Sequence, residues 1–220
     1  MYSKAIDSLQ MGVSGLPDDL YNIVLDRAKH TPGAPLPHIG EGTAAQVYWL
    51  SDKSKVLKAT RDQDDAKACI LVSRHPKKSL VHVYDVFQIK NYYFIIAEKL
   101  TPLNGSQDRI WSNFDEYTTN TYVRDQGEEH GLDSLLSHYQ LTNEWLKLLK
   151  TAFQESPPTD FKPQDVLPHL ETWAHDLTSL GILWGDLYHE NYMLRGHTLV
   201  LSDLGYGHVA SAPQIPKGDR

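Results

Sequence analysis

The sequence has little cysteine, little concentrated positive charge and no long apolar run. Cys69 is the single cysteine among 220 residues, which excludes an internal disulfide and a zinc site built from several cysteines. The formal net charge is -7 and the longest basic run is Lys77-Lys78, so the charge pattern argues against a nucleic-acid-binding protein. No apolar stretch approaches the ~18 residues of a membrane span, and the first residues lack the apolar core of a secretory signal. We therefore expect a cytoplasmic protein that binds neither nucleic acid nor membrane.

What is present is the composition of an ordinary globular chain. Hydrophobic residues make up 40% and charged residues 22%, enough to bury the core of one domain or one bilobed unit. Near the N-terminus, Pro17 and the acidic Asp18 and Asp19 stand where a helix begins, with Ile23 and Val24 on its apolar face. The Pro- and Gly-rich stretch that follows predicts a boundary near residue 31.

Strand patterns dominate the next part of the chain, and helix patterns the part after Leu100. The predicted strands are "VYWL", "KVLKAT", "SLVHVYDVFQI" and "YYFIIAEKL", with a short helix "DDAKACILVSRH" among them. The later helices are "LDSLLSHYQLTNEWLKLLKTAF" and "DVLPHLETWAHDLTSLG", the second capped by Gly181. These patterns predict an α+β fold with a small antiparallel sheet.

The stretch "GEGTAA", Gly40 to Ala45, matches the pattern G-x-G-x-x-[GA]. A strand follows it instead of a helix, so it predicts a hairpin turn and not a dinucleotide-binding fingerprint. Such a turn can let backbone N–H groups approach phosphates, although a plain β-turn explains the motif alone equally well. Lys58 in the neighbouring "KVLKAT" is a candidate phosphate-binding ammonium, while most strand lysines are simply solvated.

A second candidate site lies in "WGDLYHENYML" and "LVLSDLGYG" near the C-terminus. Asp186 and Asn191 are five residues apart, and Asp203 follows after a strand, a turn and another strand. Because a hairpin brings the loop before its first strand to the end of its second, Asn191 and Asp203 should converge as oxygen ligands for Mg²⁺. Asp186 would stand apart, free to accept a proton from a hydroxyl. The plainer interpretation is three turn-forming residues.

Taken in order, these motifs resemble those of the protein kinase-like superfamily, which has a glycine-rich loop, a strand lysine, a catalytic loop and D-F-G. The resemblance spans roughly residues 36–207. It implies a two-lobed protein kinase-like fold, with an N-terminal helical extension at 1–30 and a small antiparallel β N-lobe at 31–100. The rest, 101–220, would be a reduced, mainly helical C-lobe with a helical insertion at 104–164.

The resemblance also implies the cofactors, ATP and Mg²⁺, and a role for each residue. Asp186 would be the catalytic base, and Asn191 and Asp203 would hold the metal. Lys58 would hold the ATP phosphates, and Glu98 to Leu100 would form the hinge that binds adenine. The nucleotide-binding residues implied in this way are Gly40, Gly42, Val47, Lys58, Asp65, Glu98 and Leu100.

The chain departs from the kinase pattern at several positions. No glutamate occurs in the predicted helix that should pair with Lys58; Asp65 is the nearest substitute and Asp64 the second choice. Trp184-Gly185 replaces His-Arg before Asp186, and its glycine is similar to that of small-molecule phosphotransferases. Nothing like Ala-Pro-Glu follows Asp203, so the insertion would have to rebuild the acceptor platform.

The expected function is transfer of the γ-phosphoryl group of ATP to a hydroxyl, with a protein Ser/Thr acceptor favoured. One alternative is a pseudokinase that acts by binding a partner. Another is a small-molecule phosphotransferase of the aminoglycoside type, whose acceptor pocket would draw on the insertion. The acidic residues available there are Asp115, Glu116, Glu128 and Glu129. The sequence identifies neither the acceptor nor the oligomeric state.

Overall fold

The computed structural model describes residues 18–41, 45–125, 141–205, 208–210 and 213–218. These residues divide into two compact units. The first holds the described residues up to Pro76, His82–Lys99 and 213–218; the second holds Lys77–Val81 and the described residues from Leu100 to 210. The domain boundaries proposed from the sequence and the two-lobed arrangement stay predictions.

The first unit is a five-stranded antiparallel sheet with two helices, in the order β1-β2-β3-β5-β4. Its elements are α1 (Asp18–Arg27), β1 (His38–Glu41), β2 (Ala45–Trp49), β3 (Lys55–Thr60), α2 (Gln63–Arg74), β4 (Val83–Ile89) and β5 (Tyr92–Glu98). The predicted combination of helices with a small antiparallel sheet is confirmed. The strands form where β-branched and aromatic residues are concentrated, since such side chains pack well on a pleated surface.

One face of this sheet is covered by α1. Val24 and Ala28 are buried in one cluster with Leu57 and Phe94 from the sheet. Each large apolar side chain buried in this way contributes roughly 1.5–3 kcal/mol. The helix expected as an extension is therefore part of the core of the first unit, because its apolar face needs the sheet to cover it.

The C-terminal segment 213–218 runs along the edge of the same sheet. The Gln88 N–H donates to the carbonyl of Pro216 at 2.8 Å, and the Gly218 N–H donates to the Gln88 carbonyl at 2.7 Å. An edge strand carries backbone groups that need partners, and this segment supplies them to β4. The boundary predicted from the sequence places these residues in the C-lobe at 101–220, whereas they belong to the first compact unit.

In its described residues, the second unit combines three α-helices with two small sheets, ordered β6-β8-β9 and β10-β7. Its elements are β6 (Thr101–Pro102), α3 (Gly105–Asp125), α4 (Asn143–Glu155), α5 (Pro163–Ser179), β7 (Ile182–Leu183), a 3₁₀ turn (His189–Asn191), β8 (Tyr192–Arg195), β9 (Thr198–Leu201) and β10 (His208–Val209). Gly181 follows α5 with φ +68°, a conformation suited to the cap predicted there. Of the predicted helix at 132–153, residues 132–140 lie outside the described part. Within the described ranges, no helix is both long and apolar enough to cross a bilayer.

Candidate functional site

Three of the predicted residues of the first unit lie in one row across its sheet. Gly40 pairs with Val47, and Val47 pairs with Lys58, in the antiparallel register. Directly paired residues point to the same face, so these three share the face opposite Leu57. Gly40 has no positive φ, and an added Cβ would meet no atom of the described residues within 4 Å. Gly42 lies outside the described residues.

Lys58 is held by Asp65, the substitute expected from the sequence. Its Nζ lies 2.8 Å from Oδ2 of Asp65, and the two side chains are 15% and 2% exposed. The alternative, Asp64, instead pairs with Lys67 at 2.9 Å. The difference follows from the start of α2, where the Asp62 side chain accepts from the N–H groups of both aspartates and so fixes the first turn. Asp65 then faces the sheet.

Glu98 and Leu100 have different surroundings. The Glu98 carboxylate accepts the His82 N–H at 2.6 Å, and the Glu98 N–H donates to the His82 carbonyl at 2.9 Å. This pair of bonds joins the end of β5 to the residue before β4. Leu100 is half-buried and is where the chain enters the second unit.

In the second unit, the β8–β9 hairpin brings two distant parts of the chain together. Ser202 donates both its N–H and its Oγ–H to the carbonyl of Asn191, at 2.8 and 2.9 Å. The Asn191 N–H donates to the Tyr188 carbonyl at 3.0 Å. The backbone at Asn191 is therefore fixed against the residue that precedes Asp203, as expected for a hairpin.

The side chains of Asn191 and Asp203 present oxygens suited to a hard cation. Nδ2 of Asn191 donates to the Asp186 carbonyl at 3.0 Å, which leaves its amide oxygen as the ligating atom. Oδ1 of Asp203 accepts the Gly205 N–H at 2.8 Å. This donor set fits Mg²⁺, which binds one or two protein oxygens and completes its shell with water and phosphate. Within the described ranges, this site included, no group of three or more His, Cys, Asp or Glu side chains is placed to hold a metal ion by itself.

Asp186 lies in a partly buried and negatively charged environment. Burial raises the pKa of its carboxyl, a hydrogen bond from the Asn191 side chain opposes the rise, and the charge of Asp203 adds to it. The Tyr188 backbone N–H also lowers the pKa, while Asp115 raises it further. A carboxylate with a raised pKa is a stronger base, so Asp186 is suited to accept a proton.

An aromatic cluster holds the loop of residues 184–191. Oη of Tyr192 donates to the Leu187 carbonyl at 2.8 Å. The Tyr192 ring stacks on Trp173 at 5.0 Å between centroids and lies 4.4 Å from the Trp111 ring. Burial, followed by the charges of Asp115 and Asp186, raises the pKa of Tyr192 well above its ordinary value, so its hydroxyl stays a donor.

Trp184 begins this loop. Its side chain is fully buried, and its Nε1 has no hydrogen-bond partner among the described residues. Its carbonyl accepts the Leu141 N–H at 2.7 Å. Its bulk therefore fills the interior beneath the loop.

A contact between α3 and the loop was missed by sequence reasoning. Oδ2 of Asp115 lies 3.3 Å from Nδ1 of His189. Sequence analysis predicts Asp115 only as part of a possible acceptor pocket. Of the other residues in that set, Glu116 is exposed, and Glu128 and Glu129 lie outside the described residues. Asp115 falls four residues after the buried Trp111, a spacing that places both on one helix face and could have indicated an inward carboxylate.

Comparison with known proteins identified similarity to solved structures. No protein-family model and no curated protein matches the chain. The solved structure of the kinase PK-1 from Cydia pomonella granulovirus is similar, with a TM-score of 0.44 and 13% sequence identity. The likeness covers 90% of this chain and 62% of that kinase. At this level it assigns neither a fold nor an activity to the chain.

Proposed function

We propose that the chain is an ATP- and Mg²⁺-dependent phosphotransferase that moves the γ-phosphoryl group to a hydroxyl, with a protein Ser/Thr acceptor favoured. The observation that carries this proposal is the closure of the β8–β9 hairpin. The two bonds from Ser202 to the Asn191 carbonyl bring Asn191 beside the start of the Asp203 segment. A proton acceptor and two oxygen ligands then occur together in the second unit, as phosphoryl transfer requires.

In the first unit, Lys58 is the residue proposed to bind the ATP phosphates. The Asp65 carboxylate holds its ammonium in place, so little ordering remains to be done when an anion binds. Val47 and Gly40 lie in the same row on the same face. Gly40 has open space around it, and a residue without a Cβ allows a phosphate to approach the backbone there.

In the second unit, Asp186 is the proposed base. The acceptor oxygen attacks the γ-phosphorus, its proton passes to the Asp186 carboxylate, and the bond to the bridging oxygen breaks to release ADP. Asn191 and Asp203 would hold Mg²⁺, which when bound neutralises charge on the phosphates. The Asn191 amide would both ligate through its oxygen and fix the Asp186 backbone through its nitrogen.

Nucleotide binding is the first test of the proposal. A ligand that binds the folded state alone stabilises it, by about 2.7 kcal/mol when its concentration is 100 times Kd. For a chain of this size, each kcal/mol raises Tm by about 2–4 °C. We expect ATP with Mg²⁺ to raise Tm and to give a heat of binding by calorimetry, and EDTA to reduce both.

Lys58→Met is the matched variant for nucleotide binding, and Lys67→Met is its control because Lys67 pairs with Asp64 elsewhere on α2. ATP should stabilise the control but not Lys58→Met. Absence of any Tm shift or binding heat for ATP and GTP with the wild-type chain would overturn the proposal.

A further inference from the structure

The residues around the 184–191 loop carry an inference that rests on the proposed function and deepens it. We infer that Asp115, on α3, is a positioning residue for phosphoryl transfer: it holds His189 and thereby fixes the loop that carries Asp186. Asp115 does not touch the reacting atoms in this account. It acts through the imidazole of His189.

In the hydrogen bond between His189 and Asp115, the donor and the acceptor can be assigned. An ionised carboxylate can only accept, so Nδ1 of His189 carries the proton and donates to Oδ2 of Asp115 at 3.3 Å. The two side chains are 24% and 22% exposed. They are thus partly withdrawn from water, where a hydrogen bond to a charged group contributes more than it does on an open surface.

His189 occupies the middle of the functional part of the loop. It lies three residues after Asp186 and two before Asn191, and it begins the 3₁₀ turn His189–Asn191. Tyr188, the residue before it, accepts the Asn191 N–H through its carbonyl. A restraint on His189 therefore acts on the backbone between the proposed base and a proposed metal ligand.

Asp115 is attached to a rigid support. Trp111, one turn earlier on α3, lies 4.4 Å from the Tyr192 ring and 5.4 Å from the Trp173 ring. Phe114 is fully buried and packs against Phe161 at 5.9 Å. Because these contacts fix α3 against β8 and α5, the carboxylate of Asp115 has a fixed position from which to hold the loop.

The alternative is an ordinary ion pair with no bearing on the reaction. Pairs near the surface contribute about 0–1 kcal/mol to stability, so removing one would change Tm slightly and turnover not at all. Positioning predicts the opposite pattern, since a displacement of a catalytic group by about 1 Å can cost on the order of 10²-fold in rate.

The test compares turnover and nucleotide affinity in four variants, with labelled ATP, Mg²⁺ and casein as the acceptor. Asp115→Ala and His189→Ala should each lower kcat by about 10- to 10²-fold, with the Kd for ATP unchanged. Asp115→Asn keeps an oxygen that accepts from Nδ1, so it should retain most of the wild-type kcat. The double variant Asp115→Ala, His189→Ala should be no slower than either single variant, because both remove the same restraint.

Asp108→Ala is the matched control, since Asp108 is an exposed carboxylate on the same helix and belongs to none of the proposed sites. Its kcat should equal that of the wild-type chain. Multiplicative losses in the double variant, or a wild-type kcat in Asp115→Ala, would overturn the inference while the proposed function stood.

A second readout needs no activity. Hydrogen–deuterium exchange of residues 185–192 in the nucleotide-free protein should speed up in Asp115→Ala and His189→Ala, but not in Asp115→Asn or Asp108→Ala. If the wild-type chain transfers no phosphate to casein, turnover gives no readout and exchange alone decides the positioning role. Unchanged exchange in both alanine variants would then refute it, and if Asp115→Ala unfolds, His189→Ala and Asp115→Asn still decide.

Discussion

Asp65 holds Lys58 with a side chain that has one methylene fewer than glutamate. The shorter side chain reaches Lys58 because α2 begins at a cap, Asp62, that turns Asp65 toward the sheet. The resulting pair is mostly buried, with Asp65 at 2% exposure. Two charges taken out of water in this way depend on each other, and loss of either partner leaves the other uncompensated.

Lys58→Met should therefore destabilise the chain strongly, by about 3–5 kcal/mol, because it leaves the Asp65 carboxylate buried without its cation. Urea unfolding measures this free energy. Adding Asp65→Leu to Lys58→Met should restore most of the loss, since an apolar pair of similar volume needs no charge partner. Lys67→Met, which breaks a partly exposed pair on the same helix, should cost about 0–1 kcal/mol. Equal losses in the two single variants would contradict this account.

Asp186, unlike the Lys58–Asp65 pair, lowers the free energy of unfolding at neutral pH. Burial and the nearby Asp203 and Asp115 raise its pKa in the folded chain above the value of 3.8 for an ordinary aspartate. The folded state thus binds that proton more tightly than the unfolded state, and stability falls as pH rises through the raised pKa. The raised pKa that suits Asp186 to act as a base therefore destabilises the folded state at neutral pH.

Asp186→Asn should accordingly raise Tm at pH 7, because the amide keeps the hydrogen-bonding shape without the buried charge. The gain should shrink as pH falls below the raised pKa of the folded state, and it should vanish only below the ordinary value of 3.8, where the wild-type carboxyl becomes protonated in the unfolded state as well. Thermal unfolding at pH 7 and at pH 4 measures the difference, with the exposed Glu116→Gln as the control. A Tm change that is the same at both pH values would rule out this electrostatic cause.

Among the elements, the C-terminal segment 213–218 depends on a close approach to β4. A Cβ at Gly218 would lie 2.8 Å from side-chain atoms of both Ile89 and Phe87, and 3.3 Å from the Gln88 carbonyl oxygen. Such contacts are closer than packed atoms accept, and overpacking typically costs about 1–3 kcal/mol. The segment can pair with β4 because position 218 is glycine.

Gly218→Ala should detach the segment, and amide exchange at Gln88 should speed up because its N–H loses the Pro216 carbonyl. Exchange at residues of β3 should stay as in the wild-type chain. Lys217→Ala, a change at an exposed neighbour, is the control and should leave Gln88 protected. If the Gln88 amide stays protected from exchange in Gly218→Ala, the prediction is wrong, because the segment and β4 can then move apart enough to accommodate the added Cβ.

The predictable elements are those whose own residues carry a clear pattern of apolar and charged side chains. β3 and α2 follow from strand alternation and from a helix flanked by charges of the right sign, and both form where expected. α3 was not singled out because most of its described residues are polar, with Trp111 and Phe114 providing its buried face. The return of residues 213–218 to β4 has no local signal, since pairing between distant segments depends on the whole fold.

In the candidate site too, a contact between segments close in the chain was predictable and a contact between distant segments was not. The meeting of Asn191 with the Asp203 segment was predictable because a short hairpin joins them. The contact of Asp115 with His189 was not, because the two are 74 residues apart in the chain. The role expected of the insertion stays a prediction. Because Trp111 and Phe114 of α3 are buried in the second unit, exchanging single exposed residues is a cleaner test of that role than deleting 104–164.

For the whole molecule, the residues proposed for nucleotide binding and those proposed for transfer belong to different compact units. Lys58 and Asp65 belong to the first unit, and the proposed base and metal ligands belong to the second. This division means that binding and transfer can fail separately. A pseudokinase would retain binding without transfer, so the two properties must be measured on the same variants.

Asp203→Ala and Asp186→Asn should separate these properties, because they remove different contributions to the reaction. Without Asp203, Mg²⁺-dependent ATP binding should weaken and turnover should cease, since the metal shares the phosphate charge. Asp186→Asn should leave the Kd for ATP nearly unchanged and lower phosphoryl transfer by on the order of 10²- to 10⁴-fold, the usual contribution of a positioned general base. Calorimetry and labelled-phosphate transfer to protein and small-molecule acceptors measure the two effects. If the wild-type chain and Asp186→Asn both bind ATP and a partner yet transfer equal background amounts, the chain is a binding module and not a phosphotransferase.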